Sequence, residues 1–232
     1  MLTDVPLPTR WTTAGHCDEL WGDGGTYKAV SYELLPPLGP LDGSFAWLRA
    51  APPHEHGMSF EQQPRGAVAA QVAALAAEAQ KLALVVPSAF VAFVMDPDLH
   101  ERVPSCTACY YDLGARLIAI PEHDGPERLL RFLNDQQACY LWYLLLDADG
   151  SHQVARAWPE WKDEEPQGAT SLEDVTTPRD IEICAPSFEE FVKRFWIENT
   201  IWFAVNNGVL LDGELRAYAD AAKNAARNVE GS

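Results

Sequence analysis

The longest uninterrupted apolar run in the chain is Cys139-Tyr140-Leu141-Trp142-Tyr143-Leu144-Leu145-Leu146 with Ala138 before it, nine residues in all. It falls well short of the ~20 apolar residues a membrane-spanning helix needs, and it suits a strand buried in a core. Polar turns bound it, Asn134-Asp135-Gln136-Gln137 on one side and Asp147-Ala148-Asp149-Gly150 on the other. Gly150 tolerates the positive φ that a tight hairpin loop demands. Further short segments at 109–112, 116–120, 129–133, 152–158 and 181–184 are each bounded by turn residues. Connections this short force antiparallel pairing, because a parallel return requires a crossover. The expectation is an α+β protein built on an antiparallel meander of about six strands, with helices packed against it.

The helices come from propensity and caps. Residues 67–84 are dense in Ala, with Val68, Val72, Leu75 and Leu82 near one face, and read as an amphipathic cover. Pro87 suits the first turn of a second helix carrying Phe90, Phe93 and Val94. Ser187-Phe188-Glu189-Glu190 forms a capping box, and Phe188, Phe191, Phe195, Trp202 and Val205 follow at helical spacing up to Asn207-Gly208. A last, Ala-rich helix occupies 213–227. Strands are expected at 27–35 and 44–49, a Pro-rich loop at 50–66 and an acidic loop at 162–180. Three parts of one compact unit follow: an N-terminal extension (1–66), an α+β core (67–206) and a C-terminal helix (207–232).

Charge narrows the partners. The 34 acids and 17 bases give a formal −17, a field that repels phosphate backbones and anionic lipid and attracts basic protein surfaces. Nucleic acid and membrane surfaces are therefore poor partners, and neither is expected. The opening residues MLTDVPLPTRW carry no basic segment followed by an apolar one, and the five Cys form no disulfide framework, so a cytoplasmic location is expected.

Catalytic signatures are scarce. Cys106-Thr107-Ala108-Cys109 has a metal-like spacing, but zinc requires two further ligands and no second such pair exists. Cys139, Cys184 or His123 would have to converge on it, and a small thiol- or metal-dependent enzyme using Cys106, Cys109 and one of Cys139 or Cys184 is the alternative reading. His54-Glu55-His56 reads as solvated loop. No nucleophile elbow, dinucleotide fingerprint or phosphate-binding loop occurs, so no enzyme activity and no cofactor are expected. Two Trp stand where the last meander strand meets the acidic loop. Trp158, Trp161, Asp163, Glu164 and Glu165 are accordingly the candidate partner-binding residues, aromatic contact area beside acids.

Three stretches carry a resemblance: VPSAFVAFV (86–94), FLNDQQACYLWYLLLDADGSHQV (132–154) and APSFEEFVKRFWIENTIWF (185–203). Their order resembles the SUKH superfamily of immunity and adaptor proteins. Its members carry a Leu/Val-Pro-x-x-aromatic helix start, a strand ending in an acid–Gly turn and a closing Ser-Phe-Glu-Glu-Phe helix. The similarity spans about residues 67–205, with Met95-Asp96-Pro97-Asp98 standing where members commonly have Asn-Gly. The resemblance implies a non-catalytic binding protein whose partner is another protein, a toxin domain in the immunity members.

Overall fold

The apolar run becomes β6 (Leu141–Leu146), buried at all six positions and central in a six-stranded sheet. The structure is a computed structural model and describes residues 7–13, 15, 17–21, 26–60, 65–121, 123–163 and 168–230. β5 (Arg128–Asn134) and β7 (His152–Trp161) flank β6, and β8 (Thr176–Ala185) lies beyond β7. β3 (Tyr110–Tyr111) and β4 (Ile118–Ala119) both pair with the outer side of β5. Every pairing in this sheet is antiparallel, so the meander read from the short connections is present. Gly150 adopts φ 84° in the turn between β6 and β7, with its N–H on the Asp147 carbonyl.

The pleat gives the sheet two apolar faces. One carries Leu130, Trp142, Leu144, Leu146 and Val154 beneath three helices: α2 (Arg65–Lys81), α3 (Ser88–Val94) and α6 (Phe188–Asn206). The rings of Phe90, Phe93, Phe132 and Phe188 meet edge to face there, with centroids 5.0–5.9 Å apart. The other face gathers Leu129, Leu141, Tyr143, Leu145, Ala155 and Ala157 with Ile181 and Ile183. α2 buries Val68, Val72, Leu75 and Ala79, but Leu82 lies past its end and is exposed. A third cluster joins the back of α6, through Ile197 and Ile201, to α7 (Gly213–Glu230) and to Trp21 and Val30. Val30 belongs to β2 (Ala29–Ser31), which pairs antiparallel with β1 (Arg10–Thr12). The N-terminal segment also reaches the sheet edge, where Ile183 donates its N–H to the Pro8 carbonyl.

Three expectations are corrected. Residues 44–49 are not a strand but hold α1 (Ala46–Arg49). Phe45 and Leu48, three apart, both enter the core, and the Glu189 carboxylate gathers the N–H groups of Gly43, Phe45 and the Trp47 indole. Phe45 is held at φ 55°, which no local propensity favours, so tertiary contacts decide this segment. In 27–35 only β2 is extended, and a 3-10 turn (Tyr32–Leu34) follows it. The acidic segment is shorter than expected: α5 (Leu172–Val175) and the first five residues of β8 occupy its end. A capping box between Ser171 and Asp174 starts α5.

At the start of α6 the Ser187 hydroxyl accepts the Glu190 N–H at 3.2 Å. The Glu190 carboxylate does not close the box; it binds the Tyr32 hydroxyl and the Arg194 guanidinium. Ser187→Ala is therefore expected to cost ~1 kcal/mol, the loss of a single cap. A urea midpoint equal to that of the wild type would contradict this.

Candidate functional site

Pairing of β6 with β7 stops at Leu141–Ala157, whereas β7 and β8 stay paired to Trp161–Thr176. Trp158 to Trp161 therefore form a two-stranded ribbon with β8 alone. Trp158 and Trp161 are 44% and 58% exposed, and they are the only two of the eight Trp that are exposed. The register across the ribbon is regular from Trp158 to Trp161, and alternation along a strand sends the two indoles to opposite faces. The single aromatic patch suggested by their closeness in sequence is thus divided.

On one face Trp158 lies against Tyr140, with ring centroids 4.4 Å apart, and Tyr140 meets Tyr27 edge to face. The Arg156 guanidinium sits 4.3 Å over the Tyr140 ring and binds Glu182. Glu182 is also 3.6 Å from Arg10, and Arg179 holds Glu160 through two hydrogen bonds. The aromatic ledge is therefore bordered by paired charges. On the ribbon itself Pro159 and Pro178 lie opposite one another. Neither offers an N–H, so neither strand presents a full ladder to an added strand, and contact must come from side chains.

The acids expected around the two Trp have different fates. Asp163 is exposed; Glu164 and Glu165 lie outside the described residues. Glu173, in the segment read as an acidic loop, is buried and paired with the buried Arg131 at 2.6 Å. Asp174 is held well below the usual carboxylate range by the Thr170 backbone N–H, by Arg116 and by Ser171. Glu189 and Glu190 face inward onto the contacts described above. Local steering charge on the ribbon side thus begins at Asp163.

Cys106 lies near Cys109, and Cys109 and Cys139 both lie near Asp135. Cys184 is buried against the Val154 carbonyl, and the Cys139 N–H binds Asp135. Cys109 lies 3.2 Å from the Thr107 hydroxyl, while the Cys106 N–H is bound by Asn199. Burial pushes the Cys106 thiol up to about 12 and the Cys109 thiol up to about 11, which holds both in the poorly nucleophilic protonated form at neutral pH. No three His, Cys, Asp or Glu side chains among the described residues come together as a metal-holding group. His54 and His56 are not a free loop pair: both rings pack on Phe203, with centroids 4.7 and 4.6 Å away.

The strongest polar constellation escaped the sequence reading. Glu198, on α6, is buried and accepts the indole N–H groups of Trp11 and Trp21, each at 2.9 Å, and the Tyr218 hydroxyl at 3.0 Å. Its position three residues after Phe195 on an apolar helix face was the available signal. No family model matches this chain, and neither a curated protein nor a solved structure matches it.

Proposed function

We propose that this chain is a non-catalytic protein-binding module of immunity or adaptor type, and that its partner is a basic protein. The observation that carries the reading is the exposure of Trp158 and Trp161 on the β7–β8 ribbon of a molecule that shelters its other six Trp. An exposed indole forgoes most of its burial energy, and burial against a partner recovers it. Trp is also the residue type most often found as an interface anchor. The formal charge of −17 supplies long-range attraction for a basic surface, and the SUKH resemblance points the same way. In this reading the ribbon enters a groove of the partner, one indole on each wall. Asp163, with Glu164 and Glu165 next to it in sequence, supplies steering charge.

The test uses the partner that co-purifies from the native host. Trp161→Ala is expected to speed dissociation about 30-fold, the kinetic equivalent of losing a ~2 kcal/mol anchor, with association little changed. The Asp163→Lys, Glu164→Lys, Glu165→Lys triple variant is expected to slow association at low salt and to approach the wild type at high salt, because exposed charges are screened over ~8 Å at physiological ionic strength. Wild-type rates for both variants at every salt concentration would remove the ribbon from the interface.

A further inference from the structure

A recess lies between α2, α3, the short helix α4 (Pro97–His100) and the Ser59-Phe60 segment. Its volume is about 290 Å³, and its walls include Phe60, Val68, Val94, Met95 and Pro97. Dry apolar cavities of roughly 150 Å³ hold a benzene ring, so this one accommodates a fused bicycle. One aromatic wall is fixed in place: Phe60 stacks on Tyr111 at 5.3 Å and meets the His100 ring edge-on at 5.0 Å.

Of the polar residues that line the recess, Ser59, His100 and Glu101, His100 is the buried one. It is only 4% exposed and lines the recess. Its Nε2 lies 2.7 Å from the Phe93 carbonyl oxygen, which can only accept, so Nε2 carries the proton. Burial pushes the ring down to about 4, so it is neutral at physiological pH and Nδ1 is left as a hydrogen-bond acceptor. Glu101, an exposed acidic residue, also lines the recess, and its charge disfavours anions. One aromatic wall among aliphatic side chains, one buried neutral acceptor and a nearby acidic residue define the occupant.

We propose that this recess binds a free, uncharged, planar aromatic molecule carrying a single ring N–H or O–H donor, with the donor directed at His100 Nδ1. The site is independent of the β7–β8 ribbon and does not rest on the partner-binding reading.

Titration of the full chain with indole, followed by amide and methyl NMR shifts, tests it. Saturable shifts centred on Val68, Val94, Met95 and His100 are expected. Indene, the same shape without the N–H, is expected to bind about tenfold more weakly, since His100 would keep an unmet acceptor. Val68→Phe, which fills the recess, is expected to abolish the indole shifts. The comparison of indole with indene on the wild type needs no variant and decides the matter if Val68→Phe does not fold. Absence of saturable shifts, equal affinity for indole and indene, or indole binding that persists in folded Val68→Phe would overturn the proposal. N-acetyltryptophanamide binding more tightly than indole would also overturn it, by assigning the recess to a tryptophan side chain of a protein.

Discussion

Leu144→Asp is expected to leave no folded protein. Leu144 is fully buried at the centre of β6, opposite Leu130 on one side and Val154 on the other, and it faces the helices. Truncating a buried Leu costs about 2–5 kcal/mol in such sites. The introduced carboxylate has no cation across the strand to meet it, and burying it unpaired adds several kcal/mol more. The sum rivals the ~5–15 kcal/mol by which a whole domain is stable. Leu145 belongs to the opposite apolar face, so Leu145→Asp tests the second core separately. Loss of the cooperative urea transition and of near-UV circular dichroism is the predicted result for each. A sharp transition near the wild-type midpoint would show that β6 is not central to the core.

The second large effect is expected at Glu198. Replacing it with Ala strands the donors of Trp11, Trp21 and Tyr218, all buried. Each orphaned donor costs about 1–3 kcal/mol, so a loss of at least ~3 kcal/mol is expected, before any cavity contribution. The N-terminal segment and α7 should loosen together, since both bind this one carboxylate. The pH dependence has a definite sign. Burial raises Glu198 above the ordinary glutamate value, against the lowering effect of its three donors. A raised folded value means that stability from this group is fully present below the unfolded value and is lost as pH rises through the folded one. Glu198→Gln stays neutral throughout. The stability of the wild type relative to Glu198→Gln should therefore fall as pH rises above the ordinary glutamate range of about 4.5. A difference that stays flat as pH rises would contradict the account.

The legible parts of this fold are those set by local pattern. The β5–β6–β7 meander followed from an apolar run between short turns, and α6 followed from Ser187 and the Phe spacing after it. What resisted reading depends on side chains distant in sequence. Residues 44–49 look extended until Glu189, 144 residues from Phe45, captures the Phe45 backbone N–H and the Trp47 indole N–H. The segment before Asp180 looked like solvated acid because Glu173 and Asp174 find Arg131 and Arg116 only after folding. Of the candidate site, exposure of Trp161 could be anticipated from the acids that follow it, whereas the division of the two indoles required the register of β7 on β8. Glu198 was hidden for the same reason as Glu189, since a buried carboxylate can be recognised only through its donors.

Hydrogen exchange of the chain, free and bound to its co-purified partner, tests the central claim most directly. The account predicts new protection across residues 158–163 and 176–179, with little change on α7 or at the Phe60–His100 recess. Protection that leaves the ribbon untouched and appears elsewhere on the molecule would contradict it.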